Sequence, residues 1–234
     1  MNRALIVSCE HAGNKIPSKY RYLFKGRRGL LETHRGYDIG ARDLTETISS
    51  RMNIRAYSQD ISRLLIDLNR SLDNPSVFSD FVSHLDEELR ESLVREYYLP
   101  YRKEITNAIR VLVAGGTPVL HLSVHTFTPV LHGEERDTDV GILFDPGRKL
   151  EEDFGQRWVR ELKAQLPYLN YRMNYPYLGT MDGFTTTLRK NLSEDEYLGI
   201  ELEVSQRFTE PDRTKEWAEI QEGIVQGLKE AVGY

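Results

Sequence analysis

Cysteine is almost absent from this sequence: Cys9 is the single one in 234 residues. That excludes an intrachain disulfide framework and any metal site built on several thiolates. Long apolar runs are missing as well. Stretches such as ALIV at residues 4–7 fall far short of the roughly 20 apolar residues that cross a bilayer, so no membrane association is expected. No charged-then-apolar leader with a cleavage site opens the chain, and a cytoplasmic location is the expectation. Positive charge is not in excess: 31 Lys and Arg against 36 Asp and Glu leave a net charge of -5, which argues against nucleic acid as a partner. Repeats of fixed period and low-complexity tracts are also lacking.

What remains is the composition of a globular protein, 39% hydrophobic and 29% charged, long enough to bury one sizeable core. A single domain over residues 1–234 is expected, since no composition shift marks a boundary. Short apolar runs alternate with helical periodicity. Residues 3–8, 54–58, 63–68, 118–124, 140–144 and 199–205 read as strands. Helices are expected over about 36–52, 87–114 (with a break at Pro100), 150–165 and 213–231. In the first of these, Tyr37 and Asp38 fall in the opening turn. An irregular stretch with Pro167, Pro176, Gly179 and Gly183 lies between. The alternation implies a layered α/β domain around a central sheet.

Ligands in such folds gather beyond the carboxyl ends of strands, and the residues there are chemically rich. Glu10 and His11 follow the first strand, in SCEHAGNKIP. His125 ends HLSVH, with His121 on the same strand face; His121 reads as a core histidine and His125 as the ligand candidate. His34, His84 and His132 sit in polar surroundings and read as surface residues. A catalytic zinc takes three protein ligands from His and carboxylate and keeps a fourth position for water. His11 and His125 supply two. The third is Asp38 or Glu10, with Asp38 preferred because Glu10, next to His11 in extended chain, points the other way.

In RLLIDLNR, even spacing places Arg63, Asp67 and Asn69 on one strand face. Arg63 and Arg70 around Asn69 suit a small carboxylate; an edge strand on which Asp67 neutralises Arg63 is the other reading. In GIELEVS, Glu201 and Glu203 share a face of an apolar strand. Buried and unpaired, each carboxylate would cost several kcal/mol. Either that face is solvated or one of them faces a metal or an arginine. A carboxylate beside a metal site is suited to act as general base in hydrolysis.

Seven stretches, SCEHAGNKIP, GYDIGARDL, SRLLIDLNRS, HLSVHTFTP, DVGILFDP, NYPYLGTMDGFTTTLR and GIELEVSQ, occur in this order between residues 8 and 206. Together they resemble the N-formylglutamate amidohydrolase family, related in fold to zinc carboxypeptidases and aspartoacylase. The resemblance implies a phosphorylase/hydrolase-like α/β domain: a central mixed sheet with helices on both faces and one zinc, or another divalent ion. By the same resemblance His11, Asp38 and His125 hold the metal. Glu203 is the general base, Glu201 occupying a glutamine-like slot, and Arg63 steadies the oxyanion. Asn69, Arg70 and Arg136 bind the substrate, with Asn174, Tyr177 and Gly179 on the pocket loop. One departure stands out: His11-Ala12-Gly13-Asn14 lacks the acid of a carboxypeptidase-type H-x-x-E pair. The implied activity is hydrolysis of the amide of a small N-acyl amino acid such as N-formylglutamate. The alternatives are a carboxypeptidase-like or deacylase activity on a larger substrate, and a non-catalytic metal- or ligand-binding protein on the same fold.

Overall fold

The computed structural model describes residues 3–234. Six strands form one sheet in the order β2-β1-β3-β8-β6-β7. They are β1 (Ala4–Cys9), β2 (Ala56–Ser58), β3 (Val119–Phe127), β6 (Val140–Leu143), β7 (Tyr171–Met173) and β8 (Tyr197–Ser205). Two further short strands, β4 (Val130–Leu131) and β5 (Glu134–Glu135), make a separate hairpin. β2, β1, β3 and β8 run parallel, while β6 pairs antiparallel with β8. The sheet is therefore mixed, as expected.

Alternation along the central strands separates two chemistries. Val7, Leu120, Leu122, Val124, Leu198, Ile200, Leu202 and Val204 pack into one apolar cluster. It is closed by Leu44, Ile48 and Met52 of α2 (Ala41–Met52), Phe154 and Trp158 of α5 (Lys149–Gln165), and Trp217 and Ile220 of α7 (Thr214–Val232). The intervening positions face the other way and include Ser8, His121, Ser123, His125, Glu201 and Glu203, all buried. That face is covered by α4 (Leu99–Ala114), by α6 (Phe184–Arg189) and by the segment 61–82, whose apolar residues form a second cluster. Beside them lie α1 (Arg28–Leu31) and α3 (Glu87–Leu93). No helix among the described residues is long and apolar enough to cross a membrane.

Three local expectations need correction. The segment 63–68 is not a strand but a series of turns, with Leu65 N–H donating to the Ser62 carbonyl at 2.9 Å and Asp67 N–H to that of Val77 at 2.8 Å. Leu64, Leu65, Ile66 and Leu68 are all buried, and consecutive side chains can all turn inward only on a curving chain. The helix expected from Gly36 begins at Ala41 instead. Gly40 precedes it with φ of 85°, a left-handed conformation in which a helix cannot continue, so Tyr37 and Asp38 stay in the connection. At Pro100 the helix is not broken. A wide turn at Val94–Tyr98 joins α3 to α4, and the proline sits in the first turn of α4, where its missing N–H is tolerated.

Candidate active site

The site lies at the carboxyl end of β1 and β3, where the chain leaves the sheet. Glu10 and His11 are not opposed as an extended chain would have them, because the chain turns there and both reach His125. Asp38 N–H donates to the His11 carbonyl at 3.0 Å, which holds the α2 connection against this turn. Asp38 Oδ2 then accepts from His125 Nδ1 at 2.8 Å and lies 3.3 Å from His11 Nδ1. The two imidazole centroids are 5.1 Å apart.

Each ring is gripped on its other nitrogen. His11 Nε2 lies 2.8 Å from Asp67 Oδ1. His125 Nε2 lies 2.9 Å from Ser123 Oγ and 3.3 Å from Glu10 Oε2. Glu10, fully buried, also accepts from Ser123 Oγ at 2.5 Å and from Tyr101 Oη at 3.1 Å. Arg63 forks across the second row, its guanidinium 3.2 Å from Asp38 Oδ1 and 2.9 Å from Asp67 Oδ2. Of the two readings of RLLIDLNR, the Arg63–Asp67 pair is thus present, on a turn instead of an edge strand.

Burial alone would raise all three buried acids. Against it, the adjoining His125 holds Glu10 well below the ordinary range, as His11 does for Asp38 and for Asp67. His125 is pushed up despite its burial, by hydrogen bonds to Asp38 and Glu10. Glu203 behaves differently. Its burial raises the carboxyl to about 8, and its Oε2 has no hydrogen-bond partner. It stands in register opposite Gly141 of β6, which leaves no neighbouring side chain there to pair with it. Glu201 accepts from Thr185 Oγ1 at 2.5 Å.

Donor atoms of His11, Asp38 and His125 all lie within 4.8 Å of one another. Two imidazoles and one carboxylate are a donor set that suits zinc, and around a tetrahedral ion with bonds of about 2.0–2.1 Å the ligand atoms would stand about 3–3.5 Å apart. The Asp67 and Glu10 contacts on the far nitrogens would fix which ring nitrogen is free to face an ion. The residues present therefore fit a divalent metal: Asp38 completes the group that could hold one, and Glu10 contacts His125 on the nitrogen facing away from Asp38.

Two cavities open on this group. A narrow one of 100 Å³ is lined by His11, Asp38, His125, Glu201, Glu203, Asn69 and Arg70, among others. A wider one of 310 Å³ shares Asp38, Arg63, Thr126 and Tyr177 with it. Arg136 lies behind Tyr177, its guanidinium 5.0 Å from the ring centroid. Asn174 and Gly179 line neither cavity. Asn174 Oδ1 accepts from Phe144 N–H at 3.0 Å and Gly179 N–H at 3.1 Å, which ties the loop to β6. His121 is a satisfied core histidine, 2.8 Å from both Ser8 Oγ and Tyr197 Oη. His34, His84 and His132 are exposed. Sequence reasoning missed the outer roles of Ser123 and Tyr101. Only the inward face of β3, shared by His121, Ser123 and His125, hinted at the first.

An α/β sheet with this residue set at its strand ends defines a protein of the hydrolase class. The chain belongs to the N-formylglutamate amidohydrolase family, whose sequence profile matches residues 3–209. No curated protein matches the sequence. Among solved structures it is similar to gene product Atu2144 from Agrobacterium tumefaciens, with 28% identity and a TM-score of 0.77 over 97% of this chain and 91% of that one. An N-formylglutamate amidohydrolase from Ralstonia eutropha JMP134 shares the fold, with 17% identity and a TM-score of 0.74 over 99% of this chain and 94% of that one.

Proposed function

We propose that this protein is a metal-dependent amidohydrolase that cleaves the amide of a small N-acyl amino acid, N-formylglutamate or a related compound. His11, Asp38 and His125 would hold zinc or another divalent ion. When bound, such an ion supplies Lewis-acid polarisation of the amide carbonyl and a water whose pKa falls from ~15.7 toward ~7. Glu203 accepts the proton of the attacking water and delivers it to the leaving nitrogen. Arg63, with its side chain 28% exposed toward both cavities, stabilises negative charge growing on the carbonyl oxygen. Asn69 and Arg70 hold the carboxylates of the amino acid in the narrow cavity. Tyr177 lines both cavities with Arg136 stacked against its ring, and Asn174 and Gly179 act on the substrate only through the shape of their loop.

The observation that carries this reading is the buried, unpartnered Oε2 of Glu203 in the same cavity as the His11–Asp38–His125 group. Burial keeps that carboxyl basic, and positive charge placed beside it moves it back towards ionisation. The test is Glu203→Gln. Elemental analysis should find the metal content unchanged while kcat on N-formylglutamate or a related N-acyl amino acid falls by roughly 10²–10⁴-fold. Full activity in the variant removes Glu203 from the role. A wild-type protein that takes up no metal and cleaves no such amide removes the whole reading.

A further inference from the structure

The two cavities differ in charge as well as size. Along both central strands the lining passes from the narrow cavity to the wide one: His125, Thr126, Phe127 and Thr128 on one chain segment, Glu203 and then Gln206 on the other. The narrow cavity contains four acids, Asp38, Asp182, Glu201 and Glu203, against two arginines, Arg63 and Arg70. In the wide cavity the only acid is Asp38, already engaged by His11, His125 and Arg63. Its charged lining is otherwise the two arginines Arg35 and Arg63, with the imidazoles of His34 and His132 and the phenol of Tyr177 beside them. Arg35 has no side-chain partner among the described residues, and Arg136 stacks on Tyr177 and Phe127 without an acid. His34 feels this convergence: after burial, the guanidinium groups of Arg35, Arg136 and Arg63 lower its pKa.

With the amino-acid carboxylates placed at Asn69 and Arg70, the acyl side of the amide points to this basic space. A formyl group carries one carbon and no charge, so it would leave 310 Å³ and the unpaired Arg35 unused. We infer that the wide cavity seats an anionic acyl arm, so that the preferred substrate is the N-acyl derivative of a dicarboxylic acid, its free carboxylate held by Arg35 with Arg63 beside it and Arg136 behind the Tyr177 and Phe127 rings. This rests on the amidohydrolase reading and names its acyl group. Hydrolysis then breaks the C–N bond with water as sole co-reactant, giving the dicarboxylate and the free amino acid.

The test compares N-glutaryl-, N-valeryl- and N-formyl-L-glutamate with zinc-supplemented protein. Glutaryl and valeryl have the same carbon count and differ in the terminal charge. The glutaryl compound should exceed the valeryl one in kcat/KM by about tenfold or more, and Arg35→Glu should cut that ratio by about tenfold. Cleavage of formyl or valeryl substrate with no glutaryl preference overturns the anionic arm and leaves amide hydrolysis standing. If none of the three is cleaved, the amidohydrolase reading fails, and calorimetry with free glutarate and valerate decides the cavity. Glutarate binding that Arg35→Glu weakens supports it; equal binding of the two acids, or none, overturns it.

Discussion

Strand β8 carries Leu198, Ile200, Leu202 and Val204 on one face and Glu201 and Glu203 on the other, and the two faces obey different rules. On the first face, stability comes from removing apolar surface from water and from close packing with α2, α5 and α7. On the second, every buried polar group needs a partner, and nearly all have one: His121 with Ser8 and Tyr197, His125 with Asp38 and Ser123, Glu201 with Thr185. Glu203 Oε2 is an exception. On a face where partners are the rule, that unpartnered acid is the observation on which the proposed general-base role rests.

The contrast can be broken from either side. The largest stability effect belongs to the apolar face. Ile200→Ala should destabilise the protein by about 2–5 kcal/mol through lost burial and the cavity left behind. Metal uptake by the folded variant should be retained, since Ile200 faces away from the site; chemical denaturation and elemental analysis read the two outcomes, and a loss of metal with unchanged stability would reverse the assignment of faces.

Next comes His121 on the polar face, where burial lowers its pKa to about 4 from about 6.5 in the unfolded chain. The unfolded state therefore binds the extra proton first as pH falls. The stability difference between wild type and His121→Gln should be constant above about pH 6.5 and should shift against the wild type by roughly 3 kcal/mol on approaching pH 4. Urea denaturation at pH 7 and pH 4.5 checks this, and a pH-independent difference would mean that the ring is not held neutral.

The smallest effect sharpens the division of labour between Asp38 and Glu10. Glu10→Gln removes charge behind His125 and leaves the inner donor set in place, so zinc affinity measured by chelator competition should fall about 10–100-fold. Complete loss of zinc binding would instead put Glu10 in the inner set.

Much of this molecule was legible in its residues. Alternating strands and helices specified a layered α/β domain, and even spacing, four residues for His121 with His125 and two for Glu201 with Glu203, put each pair on a shared face, as found. His11, Asp38 and His125 come together as expected. The turns at 63–68 were misread because an apolar run bounded by polar residues looks the same whether it lies in a sheet or curves into a core. Helix α2 was begun too early because its true start depends on the left-handed backbone of Gly40, pressed against Thr209, which approaches from far along the chain. Asn174 and Gly179 were assigned to the substrate pocket, yet their contacts brace the loop itself.

Periodicity, residue type and motif order by themselves determined the class of fold, the buried faces of the central strands and the identity of the chemical groups at the strand ends. Those properties are local, since side-chain direction follows from the backbone within two to four residues. Which carboxylate meets which imidazole nitrogen was decided only in three dimensions. Asp38 beside both rings, Asp67 behind His11, Glu10 behind His125 and the basic cavity beyond them arise where β1, β3, the α2 connection and the 61–70 turns converge. Contacts between segments so far apart in the chain leave no spacing in the sequence from which to read them.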